Sequence, residues 1–217
     1  MSKITALRAA GRSRQNGKRK TKVFLDDQPA LTLEIEVVVN QGLHVGQELS
    51  DNDIEVLTRE GHFYRCLNAA THFLSYRPRS ESELQKRLVQ RGFQSDDIEA
   101  VIQRLKEQSL VDDVAFAKFW KENRDTFSPR SQWLTGLELR RKGVSEDIIS
   151  TVVGDVDDDD SAYRAASSRA RRLPLSDYRA FHRRLGDFLK RRGFSYGVIN
   201  RTVQRFWKEL GQTNQTS

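Results

Sequence analysis

Apolar positions along this chain recur with a helical period, and the helices recur with a longer one. After each of three glycines, Gly92, Gly143 and Gly193, one face is marked at offsets of six, nine, ten and thirteen residues. The positions are Ile98, Val101, Ile102 and Leu105, then Ile149, Val152, Val153 and Val156, then Ile199, Thr202, Val203 and Phe206. Spacing of this kind is one stripe of an α-helix. A leucine stands four residues before each glycine (Leu88, Leu139, Leu189), and the Leu84/Leu88 and Leu185/Leu189 pairs are one helical turn apart. Each glycine is therefore expected to close a helix in a left-handed cap. Ser95, Ser145 and Ser195 are expected to cap the helix that follows. A further helix is expected in front, at residues 67–76, 114–122 and 162–170. The glycines are 51 and then 50 residues apart, which is a repeat period. The prediction is a mainly α protein of three tandem three-helix repeats, at residues 64–113, 114–156 and 157–210, in an elongated array.

The region before the repeats has a different pattern. Val23 to Leu25 and Ala30 to Ile35 are β-prone runs around a turn-forming Asp26, Asp27, Gln28, Pro29 cluster, which predicts a β-hairpin. A short helix is expected over 36–41, ended by Gly42, and Ser50 with Asp53 reads as a capping box opening a helix to about Arg59. Residues 23–63 thus form a hairpin and helix extension. Residues 1–22 carry eight Lys or Arg and no acid and are read as a disordered basic arm, with 211–217 as a disordered tail.

Charge sharpens the picture because it is uneven. The net formal charge is +7, but residues 23–63 hold nine acids against one Arg, while 157–217 hold thirteen Lys or Arg against seven acids. Positive charge is concentrated in the leading arm and the last repeat. Such segments suit phosphate or another acidic surface, since each phosphate neutralised releases a counterion. The candidate binding cations are Arg77, Arg79, Lys86, Arg87 and Arg91 in the first repeat. In the second they are Arg130, Arg140, Arg141 and Lys142, and in the third Arg183, Arg184, Lys190, Arg191 and Arg192. Each has a plainer reading. A cation in the last turn before a glycine meets the negative end of the helix dipole, worth about 0.3–1 kcal/mol, and Glu83 with Arg87, or Asp187 with Arg191, can pair on a solvated face. Pro78-Arg79-Ser80 and Pro129-Arg130-Ser131 both put proline fourteen residues before the glycine, which suggests a shared helix start.

Other chemistry finds little support in the residues. His44, His62, His72 and His182 are scattered, without ligand spacing and without a neighbouring nucleophile. No GxxxxGK[ST] phosphate loop is present. Asp157 to Asp160 lack the spaced oxygens of a calcium loop and read as linker and helix N-terminus. Cys66 is the only cysteine and is expected to be a semi-buried helix residue in a reducing compartment. Trp120, Trp133 and Trp207 are more readily core than stacking platforms, Trp133 least so. No apolar run approaches twenty residues, so no membrane span is expected. Without a secretory leader pattern a cytoplasmic location is expected. The chain reads as a non-enzyme without a cofactor or metal, and as a monomer for want of a heptad seam.

The stretch RPRSESELQKRLVQRGF from Arg77, followed after one helix by SLVDDVAFAKFWKENR from Ser109 to Arg124, resembles the RecX family of bacterial RecA regulators. GLHVGQEL, Gly42 to Leu49, is similar to an N-terminal extension found in part of that family. ELRRKGV and LKRRGF carry the likeness into the second and third repeats. The resemblance implies tandem three-helix repeats, an elongated curved shape and binding along the groove of the RecA filament on single-stranded DNA, in most members limiting recombinase activity. Single- or double-stranded DNA is a further candidate partner. The alternative reading is a helix-turn-helix-like DNA-binding protein acting without RecA.

Overall fold

The structure, a computed structural model, describes residues 1–12 and 19–213. Four strands come first in a single antiparallel sheet of order β3-β2-β1-β4: β1 (Ser2–Arg12), β2 (Arg19–Leu25), β3 (Gln28–Glu34) and β4 (Glu48–Leu49). Asp26 and Asp27 both adopt positive φ, 49° and 64°, the conformation of the tightest hairpin turn. The predicted hairpin is therefore present, with Ile35 passing into the short helix α1 (Ile35–Asn40) instead of extending the strand. Gly42, at φ 58°, follows that helix as expected.

Two sequence expectations for this end are corrected. Ser2–Arg12 is a strand, whereas a disordered arm was expected over 1–22; it pairs with β2 from Ile4↔Leu25 to Arg12↔Arg19. Residues 13–18 of that arm lie outside the described residues, as do 214–217 of the expected tail, whose first residues continue the last helix. The helix opened by Ser50 does not stop near Arg59. It runs as α2 (Asp51–Leu74), with both halves of the capping box formed at Ser50 and Asp53, and merges with the helix expected at 67–76. Nothing between the two stretches breaks a helix except Gly61, and there the helix lies close against the sheet: a side-chain carbon would be 2.9 Å from Leu33 Cδ2. The long helix thus floors the sheet with one half and begins the first repeat with the other.

The remaining helices are α3 (Glu81–Gln90), α4 (Ser95–Glu107), α5 (Asp113–Phe127), α6 (Gln132–Arg141), α7 (Glu146–Val153), α8 (Asp158–Ala170), α9 (Tyr178–Lys190) and α10 (Tyr196–Thr213). The chain divides into two compact bodies, Met1–Asp112 and Asp113–Ser217. The first holds the sheet, α1, and the repeat made by α2, α3 and α4. The second holds the repeats α5–α7 and α8–α10.

Each repeat has its own core, and equivalent residues do equivalent work. Leu88, Leu139 and Leu189 are all fully buried, each in a different apolar cluster. Gly92, Gly143 and Gly193 have φ of 81°, 81° and 86°. Beyond them the amides of Phe93, Val144 and Phe194 donate to the carbonyls of Leu88, Leu139 and Leu189 at 3.3, 3.2 and 3.4 Å, the bonding of a Schellman cap. Removing any of these leucine side chains would cost about 2–5 kcal/mol.

The caps are distributed differently from expectation. Ser95 is the first residue of α4, and Ser145 sits at the cap position of α7 without a side-chain bond. Only Ser195 accepts from a first-turn amide, that of Val198 at 3.4 Å. The strong caps lie one helix earlier: Ser80 and Ser131, both fully buried, accept from the amides of Glu83 and Leu134 at 3.1 Å. That is the shared helix start marked by the two Pro-Arg-Ser sequences. In the second repeat α7 ends at Val153, so Val156 packs on the core from the following loop instead of from a helix.

Candidate functional site

The structure sorts the candidate cations into those that hold the fold together and those that face water. In the first repeat Arg77 grips both carboxylate oxygens of Glu83 at 3.1 Å. The expected Glu83–Arg87 pair is thereby replaced, and Arg87 lies over the Phe73 ring at 5.6 Å. Arg79 covers the same ring at 4.1 Å. Its Nε is buried without a hydrogen-bond partner. Burial, with Arg77 and Arg87 close by, pulls the Arg79 guanidinium below its ordinary pKa. Arg91 caps the end of α3, and Lys86 is exposed on its outer side.

The second body repeats the theme around a different acid. Glu138 pairs with Arg130, accepts from Arg124 Nε at 2.8 Å and from Trp120 Nε1 at 2.9 Å. Lys142 stands over the Trp120 ring at 4.2 Å, and Arg140 takes Glu146 at 2.6 and 2.7 Å through Nη2. Arg192 lies over Phe188 at 4.4 Å and donates to Ser128 Oγ at 3.2 Å, joining the third repeat to the second. Burial, then the nearby Arg124 and Arg192, lowers the pKa of Arg130, and burial followed by Arg191 lowers that of Arg192. Cations in such partly desolvated, crowded places are committed to the joint between repeats. Arg124 was not among the sequence candidates, because only the fold brings it to Glu138.

What remains is a coherent basic surface on α9. Arg183, Arg184, Lys190 and Arg191 are exposed and make no ion pair among the described residues. The expected Asp187–Arg191 pair does not form. Arg179 joins them one turn before Arg183, and Arg171 and Arg172 are exposed just after α8. The helical period i, i+4 could have found Arg179, since its opposite face carries the buried Phe181, Leu185 and Leu189. The acids of this repeat are occupied elsewhere. Asp157 caps α8, Asp158 Oδ1 accepts from the Gln132 amide at 2.7 Å, Asp159 holds Arg201 at 2.7 and 2.9 Å, and Asp160 holds Arg164 at 2.7 Å. The four-aspartate run is thus linker and helix start, as expected, and leaves Asp187 as the one acid on α9. Arg141, in the second repeat, is also exposed.

Of the tryptophans, Trp120 and Trp207 pack with aromatic neighbours, while Trp133 is 65% exposed. Cys66 is fully buried, and burial, helped by Asp97, pushes its thiol up to about 12. Among the described residues no group of three or more His, Cys, Asp or Glu is placed to hold a metal, and no helix is long and apolar enough to cross a membrane.

Three-helix repeats, each built around a glycine turn between its second and third helices, define a class of helical-repeat protein. Comparison with known proteins assigns the class to a family. Residues 66–105 match the family model for the first three-helix domain of RecX, and 157–203 match that for its third. A regulatory protein RecX from Mycobacterium sp. (strain JLS) is 36% identical over 146 residues, covering 64% of this chain and 77% of the relative. Another from Clostridium perfringens (strain SM101 / Type A) is 27% identical over 212 residues, 94% of this chain and 96% of the relative. A solved structure of regulatory protein RecX superimposes with a TM-score of 0.67 at 21% identity, covering 93% of this chain and 98% of that one. The RecX structure from Lactobacillus salivarius gives 0.58 at 24% identity over 67% of this chain and 96% of its own. The chain belongs to the RecX family, whose named members are regulatory proteins.

Proposed function

We propose that this chain regulates the recombinase RecA by binding the RecA filament on single-stranded DNA, chiefly limiting its activity, and that it does so without catalysis. The observation that carries the reading is the unpaired basic face of α9 in a chain of this family. A filament presents the same acidic and phosphate-bearing features at regular intervals, and a row of similar repeats can meet several of them at once. Weak contacts then sum through effective concentration. Arg183, Arg184, Lys190 and Arg191 would supply the charge, while Arg130 and Arg192 hold the second and third repeats in register. The partner places the action in the cytoplasm.

The test is a titration of the purified protein into RecA on single-stranded DNA, following DNA-dependent ATP hydrolysis and strand exchange. The expected result is inhibition at concentrations well below that of RecA. Unchanged rates up to equal concentration would overturn the proposal. The same basic helix favours a second reading, direct DNA binding of helix-turn-helix type. A protein working that way would bind DNA tightly with RecA absent and lose the affinity steeply as salt rises.

A further inference from the structure

Trp133 is placed where the fold has no evident use for it. It is the second residue of α6 and is 65% exposed. Its indole makes no hydrogen bond, and its ring no aromatic or cation contact, among the described residues. By contrast, Trp120 donates to Glu138 and is covered by Arg124 and Lys142, and Trp207 packs against Tyr178 and Phe181. The position ten residues before the repeat glycine is Ser82 in the first repeat and Arg183 in the third. A helix start of this kind therefore needs no aromatic there, and leaving one in water forgoes the gain from burying it.

The mount is nevertheless rigid. Ser131 is fully buried and caps α6 through the Leu134 amide at 3.1 Å. Gln132 donates its amide to Asp158 Oδ1 at 2.7 Å and its side chain to the Gly154 carbonyl at 3.1 Å. One edge of the Trp133 ring rests on the turn that follows α9, since a side-chain carbon at Gly193 would lie 3.3 Å from Cε3. Charge arrives at the same turn. Arg184, Phe188 and Arg191 fall at i, i+4 and i+7 and so share one stripe of α9. Phe188 lies beneath Arg192, which crosses to Ser128 of the second repeat, so the stripe runs along the side of α9 nearer that repeat. Arg184 and Arg191 are exposed, Arg191 stands two residues before Gly193, and Asp187 pairs with neither among the described residues.

We infer that Trp133 is a stacking platform for a base of single-stranded DNA, with Arg191 and Arg184 taking phosphates of the same strand. A fixed, open ring beside cations is the arrangement by which a strand is held without regard to sequence: the ring takes the face of a base and the cations take the backbone. Cations alone suit any anion. The ring selects a strand whose bases are free, because a paired base keeps its faces stacked inside the duplex. This contact needs no RecA and is tested apart from the filament contact proposed above.

The experiment uses the full chain without RecA. Labelled oligo-dT, a duplex and an abasic oligonucleotide of equal length are followed by fluorescence anisotropy across a salt series, and tryptophan emission is read in a parallel titration with unlabelled oligo-dT. Trp133→Ala is expected to keep its thermal midpoint and to bind oligo-dT about five- to 150-fold more weakly, the range of one base stack. Its dependence on salt stays that of the parent, because the ring neutralises no phosphate, and its affinities for the duplex and the abasic strand do not change. Arg191→Gln instead lowers the salt slope by about 0.7, the share of one phosphate on a single strand. Oligo-dT quenches the emission of the parent but not that of Trp133→Phe, whose smaller ring keeps part of the affinity. Oligo-dT binding by Trp133→Ala as tight as the parent's overturns the inference, as does an equal loss on the abasic strand. Weaker cosedimentation of Trp133→Ala with RecA filaments, with oligo-dT binding unchanged, assigns the ring to a protein contact and overturns it too. Where Trp133→Ala loses its midpoint the quenching decides, and parent emission unmoved by saturating oligo-dT overturns the inference.

Discussion

The Ser131 amide donates to the Arg192 carbonyl over 3.0 Å, and this bond fixes the turn of the third repeat on the helix start of the second. The turn can come so close because Gly193 has no side chain. A carbon there would lie 2.6 Å from both Leu134 Cβ and Ser131 Oγ. Gly92, the counterpart in the first repeat, has nothing within 4 Å of that position. One residue type thus serves two purposes: a left-handed cap in both repeats, and a close approach in the third.

Gly92→Ala should therefore cost about 1–2 kcal/mol, the strain of a left-handed alanine. Gly193→Ala should cost about 1–3 kcal/mol more, because side chain and backbone must also move apart at the joint. Urea denaturation of the two variants checks the difference. Equal losses would show that the joint yields freely.

Glu138 gathers Arg124, Arg130 and the Trp120 indole, with 12% of its own side chain exposed. Removing one partner of a buried pair costs about 3–5 kcal/mol, and the partial exposure of these arginines puts Glu138→Ala lower, at about 2 kcal/mol. Glu138→Gln, which can still accept from the indole, should lose less. The order of the two midpoints in thermal unfolding is the check.

Cys66 should titrate late. Its thiol ionises near pH 9 when exposed but is held up to about 12 in the fold. A folded pKa above the unfolded one means that the stabilising contribution is intact below pH 9 and is lost as pH rises from there towards 12. Native protein should therefore react with a thiol reagent at pH 8 only at the rate of unfolding, with full reaction in denaturant. Fast labelling of native protein would contradict the burial.

The helices were legible because buried leucines and glycine turns lie close in sequence: Leu88 with Gly92 is a local signal. The strand β1 was not. Its inward residues Ile4 and Leu7 are three apart, since the ladder shifts register between Ile4 and Ala6, and a bulge hides the two-residue period that marks a strand. The site was legible as charge but not as surface. Arg130 and Arg183 look alike in the sequence, yet one is bound to Glu138 and the other faces water, and only contacts between distant residues make that distinction. Arg192 is tied to Ser128, 64 residues away, beyond the reach of any helical period.

On the proposed function, reversing Arg140 should matter little, because it is already matched by Glu146 at the surface, a pair worth about 0–1 kcal/mol. Inhibition of strand exchange by Arg140→Glu within about twofold of the parent would agree with this. A loss as large as that caused by α9 variants would move the contact to the second repeat.

Cosedimentation with preformed RecA filaments on single-stranded DNA tests most directly the regulatory contact proposed for the exposed cations of α9. A chain carrying Arg183→Glu, Arg184→Glu and Arg191→Glu, with its thermal midpoint retained, should bind at least about tenfold more weakly than the parent at the same salt. Binding as tight as the parent's would contradict the account.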